Sequence, residues 1–501
     1  MVVDAFLEGV RIATSWPTVF WMLIGVLLGI LIGAVPGIGP NLGMAVVLPL
    51  TLPLGGTNAI ILLVGIYSGS MYGGSIAAIL VNVPGTAAAA ATTFDGYPLS
   101  RQGLATLSLS TSAVASAFAG FMTVTALILV SPLIVTLVLA LGSPEYFLIA
   151  LLGLSMITVV AQGSMAKGFV AGGFGLLLAT VGIAPMSAEL RFTFGSLALY
   201  DGLDFVAAIL GLFAIAEMLK LAGERGGIAQ SDVETGGSAL SGLGEVLSRP
   251  VTLVKSAFIG MVIGSLPGSG AAVSNFVAYG ETVRASDSDE FGDGEIAGVL
   301  AAEASNNGTV GGSLIPALSF GIPGSGATAV LLGGLLMHGL VPGPDLFSSE
   351  LHITYSVFIA LLLGNAIILI VGLSLVTRMD VLTRIDTSYL IPVIVVLAVA
   401  GGFTLRSNWI DVATVLVLGA IGYYMFKHDY SVIAFILGMV LGPIAEENFL
   451  RSLQLADGSL SVFVASWPSR VIVALIAVIL VGPFLQGWYA RRKKRSEGDA
   501  P

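Results

Sequence analysis

The sequence predicts an all-α polytopic membrane protein with about 12 transmembrane or re-entrant helical elements. Of its 501 residues, 56% are hydrophobic and only 10% are charged, and the mean hydropathy is +0.99. This composition excludes a soluble globular domain, because spans of roughly 20 apolar residues are needed to produce it. The 65 glycines fit closely packed or broken helices better than simple anchors. The absence of cysteine excludes disulfides, thiolate metal sites and cysteine nucleophiles.

The predicted helices can be placed in order along the chain. Residues 1–17 have the alternation of an amphipathic helix lying on a bilayer surface. The first clear span is Val19–Val35, and it ends in GAVPGIGPN, whose prolines and glycines turn the chain back. Residues 35–54 then form either a re-entrant hairpin or a short helix continued beyond Pro49, since Met44–Leu54 is too short to cross about 30 Å of hydrocarbon. Further spans are expected at Leu104–Leu141, Tyr146–Ala161, Gly168–Ala184, Phe205–Leu221 and Val471–Leu485.

The stretch Tyr67–Arg101 is interrupted where an ordinary membrane helix would be continuous. Its first piece, residues 60–80, contains three glycines that we expect to break the helix, Gly69, Gly73 and Gly74. Pro84 lacks a backbone donor and Gly85 relaxes the backbone, so residues 80–84 are expected to be non-helical at membrane depth. Irregular backbone survives in hydrocarbon only where protein buries it or where it lines a wet cavity. The stretch therefore predicts a site and not merely a span.

Two halves of the chain repeat the same patterns. A polar connection at residues 223–249, rich in glycine, serine and charge, separates a first half at 18–222 from a second at 250–487. The recurring patterns are GxxPGxG at Gly33–Gly39 and Gly264–Gly270, GGS at Gly73–Ser75 and Gly311–Ser313, and PG with a hydroxyl residue at Pro84–Thr86 and Pro323–Ser325. Broken hydrophobic segments in corresponding halves indicate the binding site of a secondary transporter.

Lys and Arg residues indicate how the halves are oriented. Asp95 and Arg101 mark an exit to water beyond the first break, whereas no Lys or Arg occurs between Arg284 and Arg378, which bracket the second. Positive charge collects on the cytoplasmic side of a membrane, so the asymmetry favours two inverted repeats. By the same rule, the basic tail at residues 488–501 places the C-terminus in the cytoplasm.

Long strings at these positions carry a resemblance to a known family. GxxPGxGPN, MYGGSIAAILVNVPGT with DGYPLSRQG, and NNGTVGGSLIPALSFGIPGSGATAVLLGGLLMHGLVPGP make the chain similar, from about Gly33 to Phe347, to the large membrane subunit of the tripartite tricarboxylate transporters (TctA-like). The resemblance implies a carrier in a bacterial inner membrane that imports small tricarboxylates or dicarboxylates, such as citrate, by symport with an ion, Na⁺ in our expectation. It also implies two partners, a small membrane subunit and a periplasmic solute-binding protein. Alanine stands at positions 77, 87 and 302, where proline is expected in many relatives.

Broken helices suit both a carboxylate and Na⁺. Free backbone N–H groups and the positive end of a helix dipole bind anions, whereas hydroxyl, amide and unwound carbonyl oxygens suit Na⁺. Hairpin tips at Pro84 and Pro323 are expected to meet near the midplane of the bilayer. The expected carboxylate-binding residues are Ser75, Asn82, Pro84, Gly85, Thr86, Ser313, Pro323, Gly324 and Ser325. The expected Na⁺ ligands are Gly39, Asn41, Ser70, Glu303, Asn306 and Asn307.

Each of these residues also fits a packing or capping role. Glu303 in particular is either a functional intramembrane carboxylate or a residue near the water boundary set by the acidic loop at 287–295. Phe291 and Gly298 stand at ligand positions of what would be a calcium loop, and GxxxxGK[ST] does not occur, so neither calcium binding nor ATP hydrolysis is indicated. His338 fits a structural role. No cofactor apart from Na⁺ and no nucleic-acid partner is expected.

A second hypothesis belongs to another class. An integral membrane scaffold, or an intramembrane enzyme, could use the Gly-Pro loops for packing alone. An intramembrane hydrolase needs a nucleophile with a base, and Ser269 and Ser325 have no evident His or Lys partner in the sequence.

Overall fold

The computed structural model describes residues 2–157, 164–223, 238–267, 270–379 and 387–481, which are predominantly helical. The helices are α1 Val2–Ala13, α2 Trp16–Ala34, α3 Pro40–Val47, α4 Gly56–Val81, α5 Thr93–Leu99, α6 Ala105–Ala140, α7 Ser143–Ser155, α8 Met165–Ala179, α9 Phe205–Gly223, α10 Ser241–Ser248, α11 Pro250–Gly264, α12 Gly270–Arg284, α13 Ile296–Phe320, α14 Gly326–Met337, α15 Leu351–Leu375, α16 Thr387–Arg406, α17 Trp409–Lys427, α18 Val432–Leu455 and α19 Trp467–Val481. An antiparallel hairpin pairs β1 Gly182–Ile183 with β2 Leu190–Arg191.

The predicted fold class, an all-α polytopic membrane protein, is confirmed. Within the described residues, seven helices are long and apolar enough to cross a membrane, or up to eight if α10 and α11, which are bent by 83° at Arg249, form one span. Six shorter apolar helices accompany them. This mixture of long and short apolar helices fits a protein that combines full spans with re-entrant segments.

The chain forms two compact units, residues 1–138 with 204–424 and residues 139–203 with 425–501. All the site residues expected from the sequence belong to the first unit. In the second unit, α18 packs closely on α8, since a Cβ on Gly438 would lie 2.1 Å from the Gly172 carbonyl oxygen. The units do not test the proposed halves at 18–222 and 250–487, which stay a prediction.

Close packing of α2 on α4 corrects one expectation. The predicted interruption at Gly69, Gly73 and Gly74 is wrong, because α4 is continuous from Gly56 to Val81. Its glycines instead let the neighbouring helix approach: a Cβ on Gly69 would lie 2.4 Å from the Val26 carbonyl oxygen, and one on Gly29 2.4 Å from that of Ile66. Small residues permit this approach, and the tight packing it allows is a main source of attraction between membrane helices.

The same packing recurs between α11 and α13. A Cβ on Gly260 would lie 2.2 Å from the Ser305 carbonyl oxygen, and one on Gly312 2.2 Å from that of Met261. The pair α2 and α4 in the first half therefore corresponds to the pair α11 and α13 in the second.

Several predicted boundaries also move. Residues 35–54 contain α3 followed by a 3₁₀ turn at Leu48–Thr51, which matches the alternative of a short helix continued beyond Pro49. The span predicted at Gly168–Ala184 ends early, because α8 stops at Ala179 and the chain enters β1. The last residues of the predicted polar connection are not a loop. They form α10, in which Val246 is buried.

Asp95 does not mark an exit to water. It lies in α5 and is fully buried, and its Oδ1 accepts backbone N–H groups from Gly292, Gly294 and Glu295 at 2.7, 3.1 and 3.0 Å. Three amide donors satisfy Oδ1, whereas Oδ2 has no hydrogen-bond partner among the described residues. The first half is thereby tied to the loop that precedes α13.

α1 packs on α15, where Phe6 meets Tyr355 edge to face at 5.5 Å, and its contact with a bilayer surface stays a prediction. Residues 158–163, 224–237 and 482–501, which include the basic tail at 488–501, lie outside the described residues, as do Gly268 and Ser269. The Nε2 of His338 lies 2.9 Å from the Thr51 hydroxyl, and the structural role of this histidine stays a prediction.

Candidate functional site

The centre of the first unit is the contact between α4 and α13, which run antiparallel. Three hydrogen bonds join them, between Tyr67 and Ser313 at 3.0 Å, from Asn306 to the Met71 carbonyl at 2.9 Å, and from Ser75 to Glu303 at 2.5 Å. Residue numbers rise along α4 as they fall along α13. Corresponding helices of an inverted repeat must run in opposite directions, whereas those of a parallel repeat run in the same direction. The contact therefore supports the inverted arrangement.

The first break begins where α4 ends, at Asn82, which adopts the left-handed conformation with φ 58°. Leu80 is still helical, so the predicted start of the break is two residues too early. Gly85 donates its N–H to the Gly74 carbonyl at 3.0 Å, and a Cβ on Gly85 would lie 2.0 Å from the Gly33 carbonyl oxygen. Only glycine fits between these two backbones.

The remaining residues of the first break differ in exposure. Asn82 is exposed and Pro84 is half-buried. Thr86 is buried against Gly74, and its hydroxyl has no hydrogen-bond partner among the described residues. A buried hydroxyl without a partner costs free energy in the absence of a ligand.

The second break repeats this geometry. Gly321 ends α13 in the left-handed conformation with φ 67°, as Asn82 ends α4. Gly324 packs on the Gly264 carbonyl oxygen, 3.0 Å from its Cβ position, and on the Ser313 side chain, while Pro323 is buried. Ser325 then caps α14 by accepting the Thr328 N–H.

Each break is packed within its own half. The second break lies at Ser313, level with Tyr67 on α4, and the first lies at Gly74. These two levels are seven residues, or about 10 Å, apart along the helix. The breaks thus flank the centre of the α4–α13 contact, and a meeting of Pro84 and Pro323 at the midplane of a bilayer stays a prediction.

Asn41 and Gly39, expected together as cation ligands, have different surroundings. The Asn41 amide lies against the start of α14, where a Cβ on Gly326 would be 2.4 Å from its Nδ2. Gly39 precedes α3 and has no atom within 4 Å of its Cβ position. The structure therefore brings Asn41, from the first half, to the second break.

Ser70, Asn306 and Asn307 offer buried oxygens that lack hydrogen-bond donors. The Asn306 Nδ2 donates to the Met71 carbonyl at 2.9 Å, and the Asn307 Nδ2 donates to the Ser116 carbonyl at 3.0 Å. Both Oδ1 atoms and the Ser70 hydroxyl lack partners within the described part of the chain. Because each amide nitrogen is held by a carbonyl, the orientation of each amide oxygen is set. Such oxygens fit a desolvated cation.

Glu303 is fully buried, and its depth relative to the water boundary set by the acidic loop stays a prediction. Its carboxylate accepts four hydroxyl hydrogen bonds, to Oε1 from Ser75 and Thr92 at 2.5 Å each, and to Oε2 from Ser112 and Ser116 at 3.0 and 3.1 Å. We call these four residues the hydroxyl cage.

The sequence reasoning missed three members of the hydroxyl cage: Thr92, Ser112 and Ser116. A signal for two of them exists. Ser112 and Ser116 are four residues apart and share one face of α6, a helix without charged residues whose first half is rich in serine and threonine, so a polar partner for that face could have been sought. Thr92 carries no comparable pattern.

Comparisons with known proteins agree with this architecture. The family described as "Tripartite tricarboxylate transporter TctA family" matches residues 19–437. An "Uncharacterized 52.8 kDa protein in TAR-I ttuC' 3'region" of Agrobacterium vitis is 33% identical over 441 residues, which are 87% of this chain and 87% of that protein. An "Uncharacterized protein in TAR-II ttuC' 3'region" of the same organism is 32% identical over 224 residues, which are 44% of this chain and 93% of that protein.

No solved structure matches the chain. The family match covers both breaks and the α4–α13 contact. That family consists of transporters, so the hypothesis of an intramembrane enzyme is wrong. The chain belongs to the tripartite tricarboxylate transporter TctA family and is a multi-pass membrane subunit of such a transporter.

Proposed function

We propose that this subunit imports small tricarboxylates or dicarboxylates by symport with Na⁺ across a bacterial inner membrane, with its C-terminus in the cytoplasm. A periplasmic solute-binding protein delivers the substrate, and a small membrane subunit completes the transporter. The family membership supports the tripartite assembly. The observation that carries the proposal is the pair of equivalent breaks on either side of the α4–α13 contact.

The second break suits a carboxylate. α14 begins there, so its first backbone N–H groups and the positive end of its dipole face the break. The Asn41 amide lies at the same point, and the Tyr67 and Ser313 hydroxyls are hydrogen-bonded to each other beside it. These groups can orient an anion without a charged side chain, so the substrate can be released again. The corresponding groups of the first break are Asn82 and Thr86, because the Ser75 hydroxyl donates to Glu303 and the Gly85 N–H donates to the Gly74 carbonyl.

Neutral oxygens at the α4–α13 contact and, from Asn307, at the contact of α13 with α6 suit Na⁺. The Ser70 hydroxyl and the Asn306 and Asn307 amide oxygens are neutral and buried. Within the described residues, none of these oxygens has a hydrogen-bond partner. A cation held there would offset the cost of bringing a carboxylate to the same depth. By linkage, each ligand then binds more tightly when the other is present, typically by about 1 to 3 kcal/mol.

Transport assays test this function. Liposomes containing this chain and the small subunit, supplied with the cognate solute-binding protein and labelled citrate, should accumulate citrate or a competing carboxylate only with an inward Na⁺ gradient. Equal uptake by this chain alone would contradict the tripartite mechanism. Uptake that ignores collapse of the Na⁺ gradient would contradict Na⁺ coupling.

A matched pair of variants locates the substrate site. Asn41→Ala removes the amide beside α14 and should lower uptake, whereas Asn448→Ala removes an amide whose Nδ2 bonds its own helix, at the Ile444 carbonyl, and should not. Equal uptake by the two variants would exclude Asn41 from the site.

A further inference from the structure

Each half of the chain extends one asparagine to the segment that follows the break of the other half. Asn41 lies on α3, which follows the first GxxPGxG, and Asn275 lies on α12, which follows the second. The Asn41 amide lies against Gly326 at the start of α14. The Asn275 Nδ2 donates to the Ala88 carbonyl, in the 3₁₀ turn Ala87–Ala90 that follows the first break. We call Asn41 and Asn275 the crossed asparagines.

The two contacts occupy equivalent places in the two halves. When Pro84 is matched with Pro323, Ala88 corresponds to Ala327, which is next to Gly326. The crossed asparagines come two and five residues after their GxxPGxG motifs, so they differ by three positions when the motifs are matched. Positions three residues apart share one face of a helix. The crossing is therefore a property of the repeat.

The crossed asparagines differ in their surroundings. Asn275 is fully buried, and its Oδ1 accepts the Ser274 hydroxyl at 3.3 Å while its Nδ2 holds Ala88. Asn41 is half-buried, and its side chain makes no hydrogen bond to any residue that the structure describes. The contact at the first break is therefore closed by a hydrogen bond, and the contact at the second break is open.

Other donors at the first break are also engaged. The Gly85 N–H and the Ser75 hydroxyl both donate to other groups of the protein. A carboxylate accepts hydrogen bonds and cannot donate them when ionised, so it needs free donors. The Asn41 amide offers them at the second break, whereas the Asn275 amide is held by Ala88. In this conformation the second break is thus better prepared for substrate than the first.

The difference between the two contacts indicates a second conformation. The antiparallel α4 and α13 support an inverted repeat, and a carrier of this kind alternates by moving one repeat against the other. Exchanging the arrangements of the two halves opens the contact of Asn275 with Ala88 and closes that of Asn41 with α14. A ligand then shifts the population between the two conformations.

We propose that Asn275 is a positioning residue for transport, which holds the first break through Ala88 in this conformation and whose bond to Ala88 opens in each transport cycle. Only this hydrogen bond is broken and remade. The inference rests on the proposed function, because only a carrier that moves substrate needs the second conformation. A bond with a purely structural role would stay closed throughout the cycle.

Reversible cross-linking tests whether the bond must open. The chain contains no cysteine, so Asn275→Cys with Ala88→Cys places its only thiols at the contact. A short bis-methanethiosulfonate reagent joins them through disulfides that a reductant removes. In liposomes with the small subunit and the solute-binding protein, the linked transporter should take up no labelled citrate, and reduction should restore uptake. Linked transporter that takes up citrate as fast as the reduced one would overturn the proposal.

Lys255→Cys with Glu281→Cys is the matched control. These residues lie on α11 and α12, both in the second half, and their side chains form an ion pair at 3.2 Å. Linking them should leave uptake unchanged, because the link does not join the halves. The same variant reports any effect of the reagent on the partner subunits. An equal loss of uptake in the linked control would overturn the assignment, since the loss would not depend on the contact of Asn275.

A single thiol keeps the test valid if the double variant is inactive before linking. Ala88→Cys alone retains the backbone carbonyl and Asn275, and places a reporter at a buried position. Its reaction with N-ethylmaleimide should be roughly 2- to 10-fold faster when Asn275→Ala is added, the equilibrium ratio that one hydrogen bond contributes. Thr282→Ala, which removes a buried hydroxyl bonded within α12 to the Ala278 carbonyl, should leave the rate unchanged.

The same reporter shows whether the contact opens during transport. With Asn275 intact, labelling should be faster during Na⁺-driven citrate uptake than at rest. A rate that is equal in the two conditions, or one that Asn275→Ala does not raise, would overturn the proposal.

Uptake by the wild-type transporter separates this inference from the proposed function. If the wild type takes up citrate, or another carboxylate bound by the solute-binding protein, while the linked double variant transports as fast as the reduced one, only the role of Asn275 fails. If the wild type takes up none of these carboxylates with an inward Na⁺ gradient, the proposed function itself fails.

Discussion

Replacing Gly85 by alanine should destabilise the chain through one specific collision. The new Cβ would lie 2.0 Å from the Gly33 carbonyl oxygen and 2.8 Å from the Gly74 Cα, and both are backbone atoms that cannot rotate away. Forced overpacking typically costs about 1–3 kcal/mol of folding free energy. Because both atoms belong to the backbone, we expect a cost at the upper end of this range, about 3 kcal/mol. Alanine also restricts the unfolded chain, which returns about 0.4–1 kcal/mol. The net loss is about 2 kcal/mol, or up to roughly 30-fold in the folding equilibrium.

Two further variants calibrate this value. Gly324→Ala, at the corresponding position of the second break, meets its nearest atoms at 3.0 Å, so its cost should be about 1 kcal/mol and nearly cancel against the entropic gain. Gly280 lies in α12, and no atom lies within 4 Å of its Cβ position. Gly280→Ala should therefore stabilise that helix by up to about 1 kcal/mol.

Thermal unfolding of the purified variants, followed by intrinsic fluorescence, gives the order. The melting temperature should be highest for Gly280→Ala, similar for wild type and Gly324→Ala, and lowest for Gly85→Ala. A Gly85→Ala protein that melts with the wild type would refute the packing of the first break on Gly33.

Three other substitutions test the site. Asn307→Ala should preserve the fold and reduce the rise in melting temperature on Na⁺ titration, as expected if coupling of about 1–3 kcal/mol is lost; an unchanged Na⁺-induced rise would remove Asn307 from the cation site. Thr86→Val deletes a buried hydroxyl without a described partner, so it should stabilise the substrate-free chain by about 1 kcal/mol and weaken carboxylate uptake, and full uptake would show that the hydroxyl does not touch substrate. Asp95→Asn weakens the acceptor of three backbone N–H groups and should lower the free energy of unfolding by about 2 kcal/mol, measured by denaturant titration, whereas a stability equal to wild type would mean that the amide serves equally well.

The breaks could be predicted from the sequence because their causes are local. Pro84 and Pro323 each lack a backbone donor, and the glycines next to them allow close backbone contact. Proline alone does not end a helix, since Pro132 and Pro316 lie inside α6 and α13, but a proline next to a glycine predicts a break. The repetition of GGS and PG in the two halves then pointed to paired breaks, and both occur. The fold class followed from composition alone.

Interior glycines could not be assigned in the same way. A glycine in an apolar helix fits a break and a close helix contact equally well, and the choice depends on the partner helix. Gly69 and Gly73 are helical because Val26 and Ile30 on α2 pack directly onto them. That pairing involves two segments about 43 residues apart in the sequence. It cannot be predicted from the pattern of either segment alone.

The polar partners were missed for a related reason. Glu303 is conspicuous in the sequence because a carboxylate is rare in an apolar helix. The hydroxyl residues that bond it are common in such helices and are therefore not conspicuous. Serine and threonine also pack, cap and bond their own helix, as Ser110 and Thr123 do in α6. Asp95 was misassigned because a charged residue beside Gly and Pro resembles a surface turn, and its three N–H donors lie about 200 residues away.

The packing of the breaks links the helices that support the site to the site itself. Gly33 lies in the last turn of α2, where its Cβ position is 2.3 Å from the Ser70 carbonyl oxygen on α4, and its own carbonyl oxygen closes on Gly85 in the break. Gly264 holds the same place between α11, α13 and Gly324. No side chain lies between the Gly33 carbonyl and Gly85 that could adjust if α2 slid along α4. Such a slide would therefore either move the first break together with α2 or break the contact between Gly33 and Gly85. Packed interfaces of this kind change between discrete arrangements. We therefore expect the break of each half to move as one piece with its glycine-packed helix pair. The contacts that change are then those that join the halves: Tyr67 with Ser313, Asn306 with Met71, and Glu303 with its hydroxyls.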